Sequence, residues 1–104
     1  MKKCKITVVK KVWHKELSDL YENPIENACD MKVGDVFFSD NGLIPRDFCP
    51  SAWQNLRPYV EFLASGKEDV IKGWMKNKKS AMVSCDDGFR PVSFYIEAID
   101  EDEW

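Results

Sequence analysis

The 104-residue chain has one histidine, five glycines and five prolines, and its four cysteines never fall in a Cys-x-x-Cys pair. Without such a pair, neither a zinc knuckle nor a thioredoxin-type dithiol is legible from local spacing. No phosphate-cradling glycine loop, Walker motif or serine-centred elbow occurs, which removes the common nucleotide-binding and hydrolase signatures. No apolar run approaches the roughly 18–20 residues needed to span a bilayer, so no membrane segment is expected. The start, MKKCKITVV, is charged and lacks the apolar centre of a signal peptide, so the chain reads as cytoplasmic. An excess of positive charge is missing too. Fifteen Lys and Arg against eighteen Asp and Glu leave a net charge of −3, which argues against a nucleic-acid binder working by phosphate neutralisation. There is no internal repeat, low-complexity stretch or linker.

What is present suits one small globular domain. The chain is 44% hydrophobic and 32% charged, with four Trp, six Phe and three Tyr to supply a core. KCKITVVKKVW alternates, with Cys4, Ile6 and Val8 on one face and Lys3, Lys5 and Thr7 on the other, the period of a half-buried strand. HKELSDLYE places Leu17, Leu20 and Tyr21 at helical spacing before Asn23-Pro24 stops it. IENACDMK reads as a loop, and VGDVFFSDNG as a strand ended by the turn dipeptide Asn41-Gly42. The main helix is expected from about Pro50 to Ser65. Trp53, Leu56, Val60 and Leu63 form its apolar stripe, Pro58 should kink it, and Gly66 should stop it. EDVIKGWM offers one more helical turn. KSAMVSC and FRPVSFYIEAI read as the arms of an antiparallel hairpin across Asp86-Asp87-Gly88, with Val92, Phe94, Ile96 and Ala98 on one face. Pro91 puts the start of the second arm at an edge or bulge. The expected class is α+β, a mostly antiparallel sheet packed against one main kinked helix, with Trp53 buried between them.

KCKITV, KVGDVF, FCPSAW and CDDGFRPVSFYIEAI follow one another along the chain. In order and spacing they resemble a family of small prokaryotic proteins that carry a Cys-x-x-Ala-Trp element and a Cys-x-Asp-Gly-x-Arg-Pro-Val ending. The resemblance spans most of the chain and implies no particular activity. It marks Cys4, Cys49, Cys85 and the DGFRPV turn as signature positions. Ser84 stands where some relatives carry a second cysteine, so a four-thiolate site using that pair would be incomplete here.

The cysteines lie at positions 4, 29, 49 and 85. On strand faces, Cys4 and Cys85 can serve as small buried hydrophobes. Alternatively the four converge. If the strands of Cys4 and Cys85 pair antiparallel, the start of one lies opposite the end of the other. Cys49 and Cys29 would then complete a soft set for zinc or an iron–sulfur cluster. Cys49 admits two capping frames. Either Ser51 caps the helix with Gln54 in a capping box, or Cys49 caps it with Pro50 first and Phe48 stapled against Trp53. In both, the sulfur sits near a helix N-terminus, where dipole and amides favour a thiolate, whereas burial between Phe48 and Trp53 would oppose one. Arg46 nearby would help a thiolate and Asp47 would oppose it.

The remaining candidates are thinner. His14 is the sole histidine available to a Cys–His pair, but one histidine at a strand end is more often an exposed polar residue. Asp86, Asp87 and Gly88 beside Arg90 could hold a cation or a small ligand, or be only a turn. Lys76, Lys78 and Lys79 beside Trp74 form a basic contact patch or a solvated face, and DEDEW at 100–104 an acidic tail. Two function classes follow. One is a non-enzymatic binding or assembly module, holding a soft metal through thiolates or meeting a partner or second copy through aromatic surface. The other is a thiol-dependent redox enzyme or sensor centred on Cys49.

Overall fold

A computed structural model describes residues 1–24 and 29–100. Its elements run β1 (Lys3–Lys11), α1 (Lys15–Tyr21), β2 (Val36–Ser39), α2 (Pro50–Ala64), β3 (Ser80–Ser84) and β4 (Val92–Ile99). The strands form one antiparallel sheet in the order β2-β1-β4-β3. The expected α+β class is therefore the observed one.

The alternation in β1 sets which face is buried. Cys4, Ile6 and Val8 point into the core, and Val92, Phe94 and Ile96 of the adjoining β4 do the same. The expected fourth member, Ala98, is only partly buried, while Ile99 is buried in its place. A bulge between Val8 and Lys10 shifts the register of β1 against β4 and leaves Val9 exposed. Pro91 lies just before β4, outside its strand, and its carbonyl accepts the Val12 N–H. Strands β3 and β4 are joined across Asp86-Asp87-Gly88, as the hairpin reading requires.

Helix α2 covers the core face of the sheet. Leu56, Val60 and Leu63 are fully buried along one stripe, with Ala52 and Ala64 at its ends. The helix runs through Pro58, whose exposed ring spares the core but removes one backbone donor. Trp53 is partly rather than fully buried. It packs at the margin of the core, with its ring edge-to-face against Phe48.

Two other expectations change. Leu17, Leu20 and Tyr21 of α1 are all exposed, and the buried residue of that helix is Ser18. The helical turn expected at 68–75 is a run of bends and turns closed by Asp69, whose carboxylate accepts the Gly73 N–H. Of the expected loop IENACDMK, positions 25–28 lie outside the described residues, as do 101–104 of the acidic tail.

Candidate functional site

The hairpin end of the sheet and the start of α2 enclose a cavity of about 210 Å³. Three of the four cysteines line it: Cys29 from the segment before β2, Cys49 from the cap of α2, and Cys85 from the residue after β3. Met31, Val92 and Phe94 supply apolar wall, and Asp86, Asp87 and Arg90 the polar wall.

Local chemistry fixes each thiol. Cys49 is the N-cap of α2 and Pro50 its first residue, so the capping-box frame centred on Ser51 gives way to the cysteine frame. Phe48 then packs edge-on against Trp53 at 6.1 Å between ring centroids, the staple that sets the chain's entry angle. Phe48 also meets Phe37 at 4.9 Å and Phe94 at 5.4 Å, so the cap is anchored to the sheet. Among the described residues no side chain makes the capping hydrogen bond at this position, one of the bonds that a helix N-terminus leaves open. Cys85 sits where the β3–β4 ladder ends. Its N–H donates to the Val92 carbonyl at 3.1 Å, and the Val92 N–H donates to its Sγ at 3.3 Å. That amide holds the sulfur in place at the end of the ladder. Cys29 is exposed, and its carbonyl accepts from Lys11 Nζ at 3.2 Å.

Cys4 is not part of this site. Strand β4 separates β1 from β3, so the expected pairing of the Cys4 and Cys85 strands does not occur. Cys4 stands opposite Ala98 and Cys85 opposite Val92, which places them about 20 Å apart along β4 at roughly 3.4 Å per residue. Cys4 is fully buried, and its Sγ lies 3.8 Å from the Val60 carbonyl. Burial pushes its pKa up to about 11, because a thiolate there would be desolvated. Among the described residues no three Cys, His, Asp or Glu side chains are grouped to hold a metal ion. The four-cysteine zinc or iron–sulfur site is thus corrected to a cavity with three thiols.

The Asp87, Gly88 and Arg90 turn is largely self-satisfied. Asp87 Oδ1 accepts the N–H groups of Phe89 and Arg90 at 2.8 and 3.2 Å, an Asx-type turn. Gly88 does not line the cavity. Arg90 reaches it, but Nη1 donates to Glu22 Oε1 at 2.6 Å and the guanidinium lies 5.2 Å from the Trp13 ring. His14 caps α1 and is absent from the cavity wall. Trp74, beside the basic residues Lys76, Lys78 and Lys79, is tilted against Tyr59 at 6.3 Å.

Met31 is the wall residue that the sequence reading passed over. Nothing in its local pattern marks it, since a single Met two positions after a cysteine is ordinary core filler until the fold brings it to the cavity wall. No helix among the described residues is long and apolar enough to cross a membrane. The chain matches no family model, and no curated protein or solved structure matches it.

Proposed function

We propose that this protein is a small binding module whose cavity takes a soft, thiophilic ligand through the thiols of Cys49 and Cys85, with Cys29 at the rim. One observation carries the reading: three cysteines distant in sequence line a single cavity, while the fourth is sealed in the core. Cys49 and Cys85 pack against the core but are only partly buried, and Cys29 is exposed, so all three stay open to a ligand in a way that a fully buried small hydrophobe is not. The test is mass-mapped alkylation of the reduced protein with and without zinc, cadmium or silver ions. At least one ion should protect Cys49 and Cys85 together, with Cys4 silent throughout. Unchanged labelling under all three would overturn the reading.

A second reading is thiol redox chemistry at Cys49. In its favour, Cys85 and Cys29 line the same cavity as Cys49, where either would serve as the resolving thiol that local sequence lacks. Peroxide would oxidise the Cys49 thiolate to a sulfenic acid, releasing water on protonation. Attack by the Cys85 or Cys29 thiol would form a disulfide and release a second water. A mass loss of two hydrogens, mapped to a Cys49-containing disulfide after peroxide treatment, is its signature. Oxidation that stops at single residues would exclude it.

A further inference from the structure

We infer that the ligand of this cavity is monovalent copper, with the Met31 thioether as a ligand beside the Cys49 and Cys85 thiolates; this rests on the thiophilic reading above. The argument is one of donor type. Four sulfur-bearing side chains, Cys29, Met31, Cys49 and Cys85, line one wall system of about 210 Å³, and no imidazole does. Zinc is held by thiolate, imidazole or carboxylate, four-coordinate and closed in structural sites, and iron–sulfur clusters are held by four thiolates. Neither set is assembled here, since no three Cys, His, Asp or Glu side chains are grouped among the described residues. A thioether and thiolates together are the soft set that suits copper(I).

Three side chains on the wall carry oxygen. Asp87 is partly engaged, its Oδ1 accepting two backbone amides. That leaves the exposed Asp86 carboxylate and the Ser51 hydroxyl on the wall, hard donors that a soft monovalent ion does not favour. Met31 is buried, at 4% exposure, alongside Phe94 and Val92 at the apolar side of the cavity, so the ion would be shielded from water there. The Val92 N–H bond to Cys85 Sγ is the kind of outer hydrogen bond that orients a thiolate ligand and tunes its charge. On binding, the Cys49 and Cys85 thiols each lose a proton to solvent, and the copper stays in its monovalent state.

The experiment is an anaerobic competition of copper(I) between the reduced full chain and bicinchoninate, with zinc titrated in parallel. The variants are Cys49→Ser, Cys85→Ser and Met31→Leu, each checked for retained secondary structure by circular dichroism. The wild type should take one equivalent of copper(I) and hold zinc far more weakly. Either serine variant should weaken copper(I) by more than the roughly 10–100-fold cost of losing an outer hydrogen-bond partner. Met31→Leu should weaken copper(I) about tenfold or more and leave zinc and thiol labelling unchanged. Wild-type copper affinity in a folded Met31→Leu protein, or zinc binding that rivals copper, would overturn the copper inference while the thiophilic reading stands. No binding of either metal, with unprotected thiols, would overturn both.

Discussion

At the scale of single residues, the two ends of the sheet treat the same side chain in opposite ways. Cys4 is enclosed by the β1–β4 register and by α2, and its pKa rises from 9.0 to about 11 by burial. The sign follows from which state ionises first. With the folded pKa above the unfolded one, the contribution is fully present below pH 9.0 and is lost as pH rises through about 11. Its size is on the order of 2 kcal/mol. Urea unfolding of wild type and Cys4→Val at pH 8 and near pH 11 should show the wild-type advantage shrinking by about that amount. A constant difference would contradict the assigned burial effect. Phe48 is the other decisive residue, since it touches Phe37, Trp53 and Phe94 at once. Phe48→Ala should cost about 3–5 kcal/mol, measured by denaturant midpoint. A loss below about 1 kcal/mol would mean that the cap is not anchored through this ring.

Among the elements, α2 carries both the core stripe and the site, so its two ends matter differently. Its start presents Cys49 to the cavity, and its end is set by Gly66 at φ +88°. The Gly66 N–H donates to the Leu63 carbonyl, one of the bonds of a glycine-terminated helix. A Cβ at Gly66 would meet no atom within 4 Å, so Gly66→Ala is penalised by backbone conformation alone. It should lose about 1 kcal/mol with unchanged thiol labelling at Cys49. A neutral effect in equilibrium unfolding would show that the left-handed turn is not required.

Across the whole molecule, α1 is attached through polar contacts, not through its apolar residues. Trp13 Nε1 donates to Ser18 Oγ at 3.0 Å, and Arg90 pairs with Glu22 across 68 residues of sequence. Both partners are largely shielded, at 21% and 15% side-chain exposure. Arg90→Ala should free this end, raising hydrogen exchange across α1 while the sheet amides stay protected, at a cost of roughly 1–3 kcal/mol. Arg90→Lys should rescue little, because an ammonium lacks the planar fork that pairs with the carboxylate and stacks on Trp13. Equal exchange in wild type and Arg90→Ala would place the attachment of α1 elsewhere.

The sequence by itself determined what depends on neighbours along the chain. Period-two alternation gave β1 and β4, because one face of a half-buried strand must be apolar. The Leu56, Val60, Leu63 stripe and Gly66 gave α2, and Asp86-Asp87-Gly88 gave the hairpin, since those residues satisfy local backbone geometry. The same local reasoning failed on α1, where Leu17, Leu20 and Tyr21 keep their helical spacing but stay exposed. It also could not choose between the two capping frames at Cys49, which only the packing of Phe48 on the sheet decides. Strand order belongs wholly to tertiary structure. Placing β4 between β1 and β3 sends Cys4 to one end and Cys85 to the other, although both strand assignments were legible. The thiol cavity arises in the same way. Cys29, Met31, Cys49 and Cys85 are up to 56 positions apart in the chain, and no spacing rule links them, because their proximity is fixed by which hydrophobic faces pack together.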